Sequence, residues 1–167
     1  MQEKIKIFIT GGTFDKEYNE LNGELYFNNS HMYELLKLGR CRLDVDIETL
    51  MMVDSIEMSK KERNYIIQKC VEEPINQIVI THGTDTMVET ANMLADSVRN
   101  KTIVLTGAMI PVKFGSSDGL FNMGGALSLI QALPSGVYIA MNGQVFNQKN
   151  VRKNKKRGIF EETELLK

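Results

Sequence analysis

Residues 77–99 open with Gln77-Ile78-Val79-Ile80-Thr81, pass through His82-Gly83-Thr84-Asp85-Thr86, and run on from Met87 to Arg99. The first five have an apolar centre and predict a short buried strand. The polar cluster behind them combines a glycine with residue types that favour helix caps. Thr86-Met87-Val88-Glu89 has the spacing of a capping box. Beyond it, Met87, Ala91 and Leu94 recur at helical spacing and predict a helix through about Arg99. A strand that runs through a polar turn into a helix is half of a β-α-β unit.

The rest of the chain repeats this alternation. Upstream, Lys4 to Thr10 becomes fully apolar and predicts a buried strand, and Val45 to Val53 predicts a second. Ser59-Lys60-Lys61-Glu62 is another capping box. It opens a helix with Ile66, Ile67, Cys70 and Val71 on one face, which Pro74 ends. Ser30 to Leu38 gives a weaker helical signal. Downstream, the pattern predicts a strand over Thr102 to Thr106, a helix over Asp118 to Ala132, a strand over Val137 to Met141, and a terminal helix around Glu161 to Leu166. Residues 11–29, rich in Gly, Asn, Asp and Glu, read as a long loop, of a length that compact domains keep for function. Strands alternating with helices imply right-handed crossovers and an α/β fold with a mainly parallel sheet.

Composition narrows the function classes. The 167 residues suffice for one domain with a real core; 43% are hydrophobic, 25% are charged, and the net charge is −1. That balance points to no nucleic-acid partner. The N-terminal apolar stretch is too short for a signal peptide, and no segment approaches the ~20 apolar residues of a membrane helix. The expectation is a cytoplasmic protein without a membrane partner. Cys41 and Cys70 lack metal-ligand spacing and read as buried thiols in a reducing compartment. His31 and His82 are too few for a histidine metal site. The basic run Lys149, Arg152, Lys153, Lys155, Lys156 and Arg157 has no aromatic interleaving and reads as a solvated face.

Four polar clusters follow predicted strands: Thr10-Gly11-Gly12-Thr13, Asp54-Ser55, Thr81 to Thr86, and Thr106-Gly107-Ala108-Met109. In a parallel sheet all four lie at one edge, where such sheets bind ligands. Paired glycines let a backbone pass close to a ligand. N–H groups at helix starts favour anions such as a carboxylate. A threonine hydroxyl becomes a nucleophile only with help, for instance from a lysine whose pKa is lowered. Each feature also has a plainer reading. Thr10 to Thr13 alone is a tight turn, Ser55 a turn residue, Tyr18 an exposed aromatic, Asp118 a helix cap or a support, and His82 a packed or hydrogen-bonded histidine.

Together these residues resemble the bacterial-type L-asparaginase family. The likeness rests on Thr10 to Thr13; on His82 to Thr86 with Glu89 and Thr90; on Leu105 to Met109, Pro111, Ser117-Asp118-Gly119 and Asn122; and on Val137 to Asn142, Val145, Val151 and Lys153. The resemblance implies a flavodoxin-like three-layer α/β sandwich, the family's N-terminal catalytic domain, filling residues 1–167 without the smaller C-terminal domain of longer members. It implies hydrolysis of L-asparagine to L-aspartate and ammonia, with neither cofactor nor metal. On the family pattern Thr13 is the primary nucleophile, Tyr18 its activator on a mobile loop, Thr84 the second catalytic threonine and Lys153 its base. Asp85 holds the substrate's α-ammonium and Ser55 its carboxylate. Gly12 and Ala108 line the substrate, with backbone N–H groups near Thr84 and Ala108 as oxyanion donors. Family members assemble as homodimers or homotetramers. Two other readings stay open: an amidohydrolase for another amide, such as glutamine or the substrate of an amidotransferase subunit, and a domain that binds an amino acid without turnover.

The chain departs from the pattern at Ile56, where many members carry a polar substrate contact, and in the length of the loop between Thr13 and Ser30. With fewer groups to hold the amino-acid end, the expected Michaelis constant for asparagine lies above that of a tightly binding two-domain enzyme. Steady-state kinetics of the two side by side would check this.

Overall fold

The computed structural model describes residues 3–163. Strand β1 (Ile5–Gly11) is buried along its whole length. Successive side chains of a strand point to opposite faces, and here both faces are covered. Ile5, Ile7 and Ile9 enter one core and Phe8 the other. The same division holds along β5 (Gln77–Thr81), where Ile78 and Ile80 oppose Val79, and along β6 (Thr102–Thr106), where Ile103 and Leu105 oppose Val104. With β4 (Val45–Val53) and β7 (Gly136–Met141) these strands form a parallel sheet, and β8 (Gln144–Asn147) closes one edge antiparallel to β7. The order is β4-β1-β5-β6-β7-β8. Counting only the parallel strands, that is the flavodoxin-like order 2-1-3-4-5, with its switch point between β1 and β5.

Helices cover both faces and complete three layers, as the resemblance implied. α2 (Lys60–Glu72) and α3 (Met87–Ser97) bury Ile66, Cys70, Met87, Ala91 and Leu94 on one side. α1 (Met32–Leu38) and α4 (Gly119–Ile130) bury Met32, Leu35, Met123, Ala126 and Ile130 on the other. The capping box at α2 is made in full: Glu62 N–H donates to Ser59 Oγ at 3.3 Å, and Ser59 N–H donates to Glu62 Oε2 at 2.7 Å. The helix stops at Glu72, because proline disfavours helical geometry in the residue before it and Pro74 follows. Cys70 is buried and Cys41 half-buried, both as free thiols; burial pushes the Cys70 thiol up to about 12.

Three expectations need correction. Residues 11–29 are not a long loop. A short 3-10 turn (Thr13–Asp15) leads into a hairpin of β2 (Lys16–Asn19) and β3 (Glu24–Phe27). The turn is pinned because Phe14 is fully buried and Asp15 Oδ1 accepts from Ser30 Oγ (2.9 Å) and His31 N–H (3.1 Å). Second, Glu161 does not start a helix. It ends β10 (Ile159–Glu161), which pairs with β9 (Arg152–Asn154), and Glu161 binds Arg152 at 2.6 Å across that hairpin. Glu162 and Thr163 are not helical either, and residues 164–166 of the expected terminal helix lie outside the described residues. Third, α3 lacks the capping box that Thr86 and Glu89 suggest. Thr86 caps the helix without a side-chain bond to it, because its hydroxyl is used elsewhere. The β7–β8 hairpin has a plain signal in Asn142-Gly143, both with positive φ (53° and 79°), which is the chemistry of a tight two-residue turn.

The strand ends are held close by backbone contact. Gly12 has φ +75°, and a Cβ there would lie 2.5 Å from the Gly83 backbone; a Cβ on Gly83 would lie 2.5 Å from Ser55 Oγ. Gly12→Ala and Gly83→Ala should each cost about 2–5 kcal/mol, as backbone strain and overpacking do. Gly124→Ala, in α4 with nothing within 4 Å of the new Cβ, should instead stabilise by roughly 0.5–1 kcal/mol. Thermal or urea unfolding of the three variants would check the contrast.

Candidate active site

Side chains of the strand-end residues pin the edge as well as its glycines. Thr10 Oγ1 at the end of β1 donates to Thr81 O of β5 at 2.7 Å, and Thr106 Oγ1 at the end of β6 donates to Ala140 O of β7 at 2.8 Å. His82 N–H donates to Thr106 O at 2.9 Å. Gly12 N–H donates to Val53 O at 3.0 Å. The four clusters read from the sequence therefore converge at one edge, beside the switch point.

Thr84, Asp85 and Lys153 meet directly. Lys153 Nζ, at the middle of β9, donates to Thr84 Oγ1 at 2.7 Å and to Asp85 Oδ1 at 2.9 Å. The Lys153 side chain is 9% exposed and that of Asp85 30%, so the pair is largely shielded from water and its mutual attraction is little screened. Of the basic run, then, Lys153 is no part of a solvated face. Thr13 follows Gly12, and Thr84 follows Gly83. The two threonines thus each follow one glycine of this close backbone approach. Ser55 is 1% exposed and packs against Gly83; its buried hydroxyl has no protein partner among the described residues. Ala108, 1% exposed, lies in the loop after β6. Asp118 holds that loop by accepting from Met109 N–H and Ile110 N–H, both at 3.0 Å. This is the supporting role read for Asp118.

Tyr18 is not brought to this cluster. It lies on β2, 53% exposed, and its hydroxyl points toward the hairpin tip, 3.9 Å from where a Cβ on Gly23 would stand. Its hairpin is nevertheless tied to the site through Lys16, whose ammonium forms an ion pair with Asp54 and sits 5.5 Å from the centre of the Phe27 ring. Burial works against the Asp54 carboxylate. Even so, the Lys16 hydrogen bond, the Ile56 N–H and the charges of Lys16 and Lys153 hold it below the usual range. Ile56 itself is 70% exposed.

Behind the edge lies a second polar layer that the sequence reading missed. Arg63 in α2, 3% exposed, donates to Thr90 Oγ1 at 2.6 Å and to Thr86 Oγ1 at 3.1 Å, and pairs with Glu89 at 3.2 Å. Glu89 therefore serves Arg63 instead of a capping box. Thr86 Oγ1 donates in turn to Ser55 O at 2.8 Å. His82, fully buried, contacts Thr90 Oγ1 through Nε2 and Gly83 O through Nδ1, each at 2.8 Å. Its plainer reading, as a packed and hydrogen-bonded histidine, fits this geometry. A signal for Arg63 existed: it lies on one helical stripe with the buried Ile66 and Cys70, where a charge is out of pattern. Among the described residues no cluster of three or more His, Cys, Asp or Glu could hold a metal ion, and no helix is long and apolar enough to cross a membrane.

Residues 4–161 match the family model described as asparaginase, N-terminal. A glutaminase-asparaginase of Acinetobacter glutaminasificans is 41% identical over 92 residues, covering 52% of this chain and 28% of that protein. The L-asparaginase of Thermococcus kodakarensis is 28% identical over 156 residues, covering 90% of this chain and 47% of its own length. Its solved structure superposes with a TM-score of 0.81 over 95% of this chain and 51% of that one. A structure of a probable cytoplasmic L-asparaginase from Campylobacter jejuni, 31% identical, superposes with a TM-score of 0.79 over 91% of this chain and 50% of that one. The chain thus spans about half the length of the two superposed proteins.

Burial, opposed by the Gly83 hydrogen bond and helped by the Arg63 charge, pushes the His82 pKa from 6.5 down to about 4. The unfolded chain therefore binds a proton more readily than the folded one between these values. Stability from this group is complete above about pH 6.5 and is lost as pH falls toward 4, by roughly 3 kcal/mol in all. Denaturant unfolding of wild type and His82→Gln from pH 7 to pH 4 should show a steeper acid loss in wild type.

Proposed function

This chain belongs to the asparaginase family, and on that premise we propose that it hydrolyses L-asparagine to L-aspartate and ammonia through a threonine acyl-enzyme. The observation that carries the proposal is the hydrogen-bonded set Thr84–Lys153–Asp85, next to the Gly12–Gly83 contact from which Thr13 departs. Thr13 Oγ attacks the side-chain amide carbon, and backbone N–H groups of Thr84 and Ala108 stabilise the oxyanion. The hydroxyl proton passes to the leaving nitrogen, ammonia departs, and an ester joins Thr13 to the aspartyl group. Water then attacks the ester, helped by Thr84 and Lys153, and frees aspartate and the Thr13 hydroxyl.

At the amino-acid end, Asp85 takes the α-ammonium and Ser55 the α-carboxylate. The unpartnered Ser55 hydroxyl supports that role, since a buried hydroxyl without a partner gains a hydrogen bond when a ligand arrives. Tyr18 acts as activator only when its hairpin swings over the bound substrate. Activity on glutamine as well is favoured by the name of the Acinetobacter relative. A cytoplasmic location, supported by the name of the Campylobacter protein, and assembly as a homodimer or homotetramer belong to the same proposal.

Ammonium release from L-asparagine, L-glutamine and D-asparagine tests it. Wild type should turn over L-asparagine. Thr13→Ala and Lys153→Met should each lose about 1,000-fold or more in kcat, as enzymes do when nucleophile or base is removed. Tyr18→Phe should lower kcat less. Release that survives Thr13→Ala would move the nucleophile to Thr84, and no release from any of the three amides would overturn the reading.

A further inference from the structure

We propose that Arg63, which touches no substrate, is the positioning residue that sets both halves of the site through two threonine hydroxyls one helical turn apart. The inference deepens the amidohydrolase reading and rests on it. Its logic is one of donors and acceptors. A guanidinium can only donate. Thr90 Oγ1 and Thr86 Oγ1 must therefore accept from Arg63, at 2.6 and 3.1 Å, and each hydroxyl has its own proton left to give onward.

On the first arm Thr86 gives its proton to Ser55 O at 2.8 Å, which fixes the backbone that carries the Ser55 hydroxyl. On the second arm Thr90 gives its proton to His82 Nε2, 2.8 Å away. His82 Nε2 is then an acceptor, so the ring proton sits on Nδ1. That is what the neighbouring contact needs, because Gly83 O, 2.8 Å from Nδ1, can only accept. Gly83 O and the Thr84 N–H belong to one trans peptide unit and point in opposite directions. A histidine that holds the carbonyl on its own side holds the Thr84 N–H pointing away from it. Arg63 thereby sets the direction of an oxyanion donor three hydrogen bonds away from itself.

The arrangement is otherwise hard to account for. A guanidinium with a 4% exposed side chain has one carboxylate partner, Glu89, which is 60% exposed. Burying a charge so weakly compensated is no route to stability, and an apolar residue of similar volume would do as well or better. Its remaining hydrogen bonds, to the Met58 carbonyl and thioether, anchor it in place.

The arms separate experimentally. Breaking the Thr86 arm should act on substrate binding, and breaking the Thr90 arm on the chemical step. Thr86→Val should raise KM several-fold with kcat within about twofold, and Thr90→Val should lower kcat about tenfold with KM little changed, as small misplacements of catalytic groups do. Arg63→Met should do both, and Arg63→Lys, which still donates, should recover part of each. The readout that a merely structural role would not move is the tautomer. In histidine-labelled protein, two-bond proton–nitrogen spectra at neutral pH should show wild-type His82 as the Nδ1–H form, with His31→Gln supplying the assignment. Thr90→Val should mix the tautomers and shift the Thr84 amide resonance. An Nε2–H His82 in wild type would overturn the proposal, as would a Thr90→Val protein with wild-type kcat and an unmoved Thr84 amide. These spectra need no turnover. A wild type that is inactive on every amide yet carries the Nδ1–H form would defeat the functional reading while leaving the hydrogen-bond chain standing.

Discussion

The contact between the backbones of Gly12 and Gly83 is the constraint on which the rest of the site depends. A Cβ at Gly12 would meet Gly83 Cα and N at 2.5 Å, and a Cβ at Gly83 would meet Ser55. Three chain segments from β1, β4 and β5 can therefore stack with no side chain larger than that of Ser55 between them. A doubly wound sheet already opens a crevice at the switch point, since the chain leaves β1 toward α1 on one face and β5 toward α3 on the other. In this chain the crevice floor is the backbone of Gly12 and Gly83 with the small Ser55 side chain against it. That brings Thr13, Ser55 and Thr84 together at a spacing that strands carrying ordinary residues could not reach.

Charge alternates across this floor. Lys16 pairs with Asp54, Lys153 pairs with Asp85, and the Lys153 charge also reaches Asp54. An amino acid is itself a paired ammonium and carboxylate, so a site of alternating, partly buried charge suits it better than a site of one sign. The Lys16–Asp54 pair has a second consequence. It fastens the root of the β2–β3 hairpin to the end of β4, while Asp15 with Ser30 and His31 fastens it on the other side. The hairpin root is therefore fixed, and its tip, with Leu21 91% exposed, stands in solvent.

Much of this was legible in the sequence for a definite reason. β5 and β6 occupy the ranges their apolar runs predict, because strands buried on both faces leave continuous hydrophobic signals; β4, a half-buried edge strand that carries Asp46 and Glu48, also fills its predicted range. The convergence of Thr13, Ser55, Thr84 and Ala108 followed from placing polar clusters after parallel strands. Lys153 came from resemblance alone, since nothing in a basic run tells which lysine turns inward. The β2–β3 hairpin was hidden because its strands are short and largely exposed, so their periodicity carries little information. Arg63 was hidden by its charge. A reading that sorts residues into apolar faces and solvated faces passes over a cation that sits on an apolar face.

The failed capping box at Thr86 shows how such errors and function are connected. Thr86 and Glu89 have the right types and spacing, and the equivalent pair at Ser59 and Glu62 does form. Forgoing a side-chain cap costs about 1 kcal/mol. Here the threonine hydroxyl faces Ser55 O and the guanidinium of Arg63, while Glu89 neutralises that guanidinium. Leaving a buried arginine without these partners would cost more than the cap returns, since an unpaired buried charge with unmet hydrogen bonds is strongly destabilising. The tertiary network therefore wins over the local one wherever Arg63 is present. Local rules are broken in folded proteins mainly at sites under functional demand, and this break falls on the residues that link α2 and α3 to the candidate active site.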